Sequence, residues 1–142
     1  MNTTAIDPGK IASYRAAHYR VGAGGTHFTL LIGQPSPELR DLYHATKTDS
    51  ALFITAFNPF GAVQSMDANL LAHARLGDHL RALTAQTYEG HGADPTGEWP
   101  PESSYLALGI DKDTAERLGR RAHQDAVVWA DADSVPQLLL LR

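Results

Sequence analysis

"ITAFNPFGAVQSMDANLLAHARL", Ile54–Leu76, is the stretch whose reading decides the fold. An apolar run stops at Asn58-Pro59, a short loop follows, and a helical pattern begins at Ser65. With the residues just upstream the run reads "ALFITAF", Ala51–Phe57. It is short, continuous and rich in β formers, which predicts a central strand buried on both faces. The helix is the longest in the chain, "MDANLLAHARLGDHLRALTAQ", Met66–Gln86. Ser65 is its expected N-cap, and Asp67 sits in the first turn, where the helix dipole favours an acid.

Outward from this pair the same signals recur. "THFTLLIG" is read as a strand bounded by Gly25 and Gly33. "SPELRDLYHATK" has Ser36 as N-cap, Pro37 in the first turn and Glu38 beside it, so it is read as a helix. "YEGHGADPTGEWPPE" is dominated by Gly, Pro and acidic residues and is read as a long loop. "SSYLALGI" is a strand. "DKDTAERLGRRAHQ" is a helix, with Asp113 as expected N-cap and Glu116 at capping-box spacing. Its inner face is Ala115, Leu118, Gly119 and Ala122, small enough to lie close on a sheet. "DAVVWA" and "VPQLLLL" are strands joined by the turn "DADS". "GAGG", Gly22–Gly25, is a turn without the lysine or the spacing of a phosphate loop. "IASYRAAHYRV" is open between a short helix and an irregular arm, and residues 1–12 are expected to form a flexible arm. The order β-α-β-α-β-α-β-β gives an α/β (α+β mixed) fold, a single mixed sheet of about five strands with helices packed on it.

The 142 residues are expected to form one domain able to bury a core. The apolar fraction is 43% and the charged fraction 20%, as in ordinary globular proteins. With no cysteine in the chain, disulfides, thiolate metal sites and cysteine nucleophiles are excluded. That composition fits a cytoplasmic protein. The net charge of −4 and pI near 5.9 argue against nucleic acid as a partner. The one local basic cluster, Arg117, Arg120 and Arg121, is read as a solvated helix face. No segment has the length of a membrane span, and the start "MNTTAIDPGK" shows no secretory signal.

The helix at Ser65 carries an anomaly. At 100° per residue Asn69 aligns with Ala72, Leu76, Leu80 and Leu83, and Ser65 precedes it by one turn. A buried amide without partners loses about 1–3 kcal/mol per unpaired group, so something must meet Asn69. The strand ends supply candidates. By alternation Asn58 shares the side of Leu52, Ile54 and Ala56, Glu102 and Ser104 that of Leu106 and Leu108, and Gln124 that of Ala126 and Val128. Strand ends beside helix N-termini are where open α/β sheets gather ligands. The expected ligand-binding set is therefore Asn58, Ser65, Asn69, Ser104 and Gln124. Glu102 is the candidate catalytic acid or base, with Glu98 and Asp94 as possible second carboxylates and Trp99 and Tyr105 as walls. The structural alternatives are plain: a turn for Asn58, a cap for Ser65, a loop anchor for Asn69.

Those motifs also carry a resemblance. "TAFNPFG" with Ser65 and Asn69, "DPTGEWPPESSYLALGID" and "LGRRAHQDAVVWA" together resemble the bacterial domain-of-unknown-function family 3293, from about Tyr14 to Arg142. The resemblance implies a small, stand-alone bacterial protein and assigns no activity. Its pattern falls on Asn58, Pro59, Ser65, Asn69, Glu102, Ser104 and Gln124. His123 stands where the pattern leads one to expect glycine.

The seven histidines form no metal-ligand spacing, and neither a metal nor a cofactor is expected. No serine lies in a G-x-S-x-G elbow, and no pairing of Ser65 or Ser104 with His73 or His123 is defined. Three function classes remain. The preferred one is a small-molecule binding domain for an anionic or nucleotide-like ligand. The second is a hydrolase or transferase using Glu102. The third is a protein-interaction module or homodimer, for which Leu71, roughly 160° from the leucine stripe, is the only hint. No membrane partner is expected.

Overall fold

The computed structural model describes residues 4–23 and 26–142. Gly24 and Gly25 of the expected "GAGG" turn lie outside the described residues. The elements follow as α1 (Pro8–Ala16), β1 (His18–Ala23), β2 (Thr26–Leu30), α2 (Pro37–Thr46), β3 (Ala51–Thr55), a 3-10 turn (Pro59–Gly61), α3 (Met66–Leu83), β4 (Thr87–Ala93), β5 (Glu102–Leu108), α4 (Lys112–Arg121), β6 (Ala126–Ala130) and β7 (Pro136–Leu140). The helix starts are locally encoded. Ser36 accepts from the Leu39 amide, Ser65 from Ala68 and Asp111 from Thr114. Asp111, not Asp113, caps α4; Asp113 occupies the first turn.

The strands form one sheet in the order β2-β1-β4-β5-β3-β6-β7, and every neighbouring pair is antiparallel. This corrects the mixed sheet of about five strands: the sheet has seven, curled and wholly antiparallel. Two missed strands are the reason. β1 lies in the segment left open, and β4 lies partly in the segment read as a loop. The helical crossovers still join strands that run the same way, but never adjacent ones. β3-α3-β4 straddles β5, and β5-α4-β6 straddles β3. Each intervening strand runs the opposite way, so a β-α-β sequence pattern yields an antiparallel ladder.

β4, "TYEGHGA", hides because its inward positions are Tyr88, Gly90 and Gly92. Two of the three have no side chain to register as hydrophobic periodicity. At Gly90 a Cβ would strike the Arg20 carbonyl of β1, so only glycine lets the strands approach there.

Both faces of the sheet are covered. On one, Leu39 and Tyr43 of α2 pack with Phe28, Leu30, Phe53, Leu106 and Leu108. On the other, Leu76 and Leu80 of α3 and Ala115 and Leu118 of α4 pack with Leu52, Ile54, Ala107 and Trp129. Burying a side chain such as Leu80 stabilises by about 1.5–3 kcal/mol. Leu83, expected on the buried stripe, is exposed because α3 ends there. Among the described residues no helix is long and apolar enough to cross a membrane.

Candidate functional site

β3 ends at Thr55, whose hydroxyl donates to the Ser103 carbonyl at 2.8 Å and accepts from the Phe57 amide at 3.0 Å. That pair turns the chain out of the sheet before it reaches Asn58. Asn58 then adopts φ 45°, in the left-handed region that asparagine tolerates better than most residues. The strand alternation assumed for Asn58 therefore does not reach it. Its position comes from a network of hydrogen bonds.

In that network Asn58 and Asn69 hold each other twice. The Asn58 amide donates to Asn69 Oδ1 at 2.9 Å, and Asn69 Nδ2 donates to Asn58 Oδ1 at 3.0 Å. Gln64 closes the ring: its backbone N–H donates to Asn58 Oδ1 and its Nε2 to Asn69 Oδ1 at 2.7 Å. This answers the anomaly on α3. Asn69 is buried, and both its Oδ1 and its Nδ2 are used in anchoring the loop between β3 and α3. The remaining donor of Asn58, Nδ2, reaches Glu102 Oε2 at 2.9 Å, at the mouth of β5.

Glu102 faces a cavity of about 360 Å³ on the α2 side of the sheet. Sheet register explains the hole. Glu102 pairs with Gly92 of β4, and Gly92 pairs in turn with Tyr19 of β1. A Cβ placed on Gly92 would meet nothing within 4 Å. α1 walls the space with Lys10, Ser13 and Tyr14, and Trp99, Phe53 and Phe57 supply aromatic surface. Ser104 and Gln124 complete the polar lining. The Ser104 hydroxyl donates back to the Glu102 carbonyl at 2.9 Å. Gln124 Nε2 donates to the Phe57 and Ala122 carbonyls at 3.2 Å.

Of the sequence-derived set, Asn58, Glu102, Ser104 and Gln124 line this cavity, whereas Ser65 and Asn69 do not. Ser65 is an exposed cap, and Asn69 stands behind Asn58. Trp99 is a wall. Tyr105 is not: it lies on the opposite face, stacked on His73 with centroids 4.2 Å apart. Neither Asp94 nor Glu98 supplies a second carboxylate. Asp94 is turned onto its own loop, accepting from the Thr96 and Glu98 amides. Among the described residues no group of three or more metal-ligating side chains is gathered.

Sequence reasoning missed a second acid. Asp125, 2% exposed, is held by Lys10, by Arg142 Nη1 at 2.6 Å and by the Tyr14 hydroxyl at 3.1 Å. Lys10 also donates to the Phe60 carbonyl at 3.2 Å. The chain's first helix and last residue thus meet at one carboxylate beside the cavity. The signal was available: Asp125 heads an apolar strand, as Glu102 does. Its partners lie 115 residues upstream and 17 downstream, and no local pattern joins them.

Electrostatics separates the two acids. Burial pushes the Glu102 carboxyl above its ordinary value, and the Asn58 bond only partly offsets this. Burial also pushes Asp125 up, but bonds from Lys10, Arg142 and Tyr14 outweigh it and hold the carboxyl below the usual range. The Tyr14 hydroxyl is raised by burial and by the charge of Asp125, and so stays a proton donor.

The family described as a protein of unknown function (DUF3293) matches residues 54–127. The chain belongs to this family. The DUF3293 match spans Asn58, Gln64, Asn69, Glu102, Gln124 and Asp125, and leaves out Lys10, Tyr14 and Arg142. No curated protein and no solved structure matches the chain.

Proposed function

We propose that this protein binds a small, flat, partly apolar molecule that presents an N–H or O–H donor to Glu102. One observation carries the reading: a half-buried carboxylate with, among the described residues, a single side-chain donor, Asn58, faces an aromatic-walled cavity of about 360 Å³. That volume suits a small-molecule ligand. A carboxylate accepts roughly four hydrogen bonds, so a ligand donor gains where water is partly excluded. Between the anionic and the nucleotide-like ligands expected from sequence, Glu102 favours the donor edge of a nucleobase-like ring over an anion. Trp99 and Phe57 supply the faces for such a ring.

The test is a panel of nucleobases, nucleosides and aromatic amines, read by melting temperature and calorimetry on wild type, Glu102→Gln and Gly92→Val. Gly92→Val places a side chain into open space and is expected to keep the fold while filling the cavity. A ligand that stabilises wild type and neither variant supports the reading. No stabilisation by any member, or stabilisation that survives both substitutions, overturns it.

A second reading is favoured by the raised pKa of Glu102, which suits a general acid or base. On that reading the protein is a hydrolase or transferase, and Glu102→Gln abolishes turnover of a ligand it still binds.

A further inference from the structure

On the opposite face of the sheet a second cavity, about 370 Å³, opens between α3 and α4. Leu76 and Leu118 form its apolar floor. Its rim carries Arg75 and His79, one turn apart on α3, and Arg121 and His123 at the end of α4. No carboxylate lines it. The neighbouring acids approach other arginines, Asp78 coming within 4.0 Å of Arg81 and Glu116 within 3.6 Å of Arg120. Among the described residues neither Arg75 nor Arg121 has an ion-pair partner.

In a chain of net charge −4 this groove gathers two arginines and two histidines with no carboxylate in its lining. Arg121 answers the α4 dipole, but Arg75 sits mid-helix, where no dipole end favours it. His123 adds an independent observation. It adopts φ 55°, the left-handed region where glycine is at ease. A side chain there costs about 1 kcal/mol or more. Its ring stacks on Phe60 with centroids 5.5 Å apart, which holds it at the rim of the groove. The end of α4 offers little competition as an acceptor: the Leu118, Gly119 and Arg120 carbonyls already accept from Ala122, Gln124 and His123.

We infer that the α3–α4 groove is a binding site for a phosphoryl-class oxyanion, free or carried on a small molecule. Two guanidinium forks match tetrahedral oxyanions by paired N–H bonds, and the two imidazoles add donors. An extended polyanion is disfavoured by the net charge of −4, since nucleic acid requires a basic surface. This site does not depend on the ligand proposed for the Glu102 cavity.

The test is calorimetric titration of the full chain with inorganic phosphate, pyrophosphate and a phosphomonoester at constant ionic strength. At least one is expected to saturate with a Kd of about 1 mM or tighter. The order among them separates a free ion from a carried phosphoryl group. Arg75→Gln combined with Arg121→Gln alters only exposed side chains and is expected to weaken binding at least about tenfold, whereas Arg40→Gln on α2, across the sheet, leaves it unchanged. His123→Gly relieves the backbone and weakens binding while raising stability. Absence of saturable binding overturns the proposal. So does equal binding by the double variant, or tighter binding of duplex DNA through the same two arginines.

Discussion

Glu102 and Asp125 are two carboxylates beside one cavity, each heading an apolar strand, yet they are treated in opposite ways. Asp125 has three side-chain partners and lies below the usual carboxylate range. Glu102 has one and lies above it. Burial alone raises both; the number of donors decides the sign. The satisfied acid joins the chain's ends, and the unsatisfied one has lone pairs left for a ligand. Buried charge is thus either consumed by the fold or left available, and counting donors tells which.

The largest expected effect tests the structural half of that contrast. Asp125→Asn removes the charge that Lys10 and Arg142 share, with little change of shape. Breaking a fully buried pair costs about 3–5 kcal/mol, and here about 2–3 is expected because both cations are over a third exposed and can rehydrate. Denaturant unfolding at neutral pH measures it. A loss below about 0.5 kcal/mol, within the range of ordinary surface changes, would make Asp125 no anchor and erase the distinction.

Asn69→Ala comes next. It strips the Asn58 amide of its acceptor and Gln64 of its partner, at about 1–3 kcal/mol. It also frees Asn58 to turn away from Glu102, so ligand binding in the cavity should weaken although Asn69 does not line it. Wild-type affinity in a destabilised Asn69→Ala protein would show that the network holds the loop and nothing more.

Asn69 also shows how far the sequence could be read. Helical spacing placed an amide among leucines, and the demand that buried amides be paired implied a partner. Glu102, Ser104 and Gln124 followed from strand alternation, because those residues do lie on or beside strands. Alternation failed for Asn58, where Thr55 ends β3 early and the left-handed turn takes over. It failed for β4 because glycines carry no hydrophobic signal, and the same missing side chain at Gly92 creates the cavity. Lys10, Tyr14 and Arg142 were invisible for a different reason. They join the site through contacts between chain ends, which only the folded sheet order brings together.

The smallest expected effect is the sharpest discriminator between the acids. Glu102→Gln keeps an acceptor for Asn58 Nδ2 and removes the charge. A raised folded-state pKa means that stability is fully present below the unfolded value and declines as pH rises through the folded one. Wild type therefore carries a penalty from Glu102 that grows as pH rises from the unfolded carboxylate value through the raised folded one, and Glu102→Gln does not. The substitution should be nearly neutral at pH 4 and stabilising by about 0.5 kcal/mol at pH 7. Asp125 runs the other way: its contribution is present above the unfolded carboxylate value and is lost as pH falls through the depressed one. Acid-side unfolding should therefore be unchanged in Glu102→Gln and blunted in Asp125→Asn. If Glu102→Gln instead becomes less stable than wild type as pH rises toward 7, the ionised carboxylate is already satisfied within the fold. In that case Glu102 belongs with Asp125, and the cavity has no unsatisfied acceptor to offer a ligand.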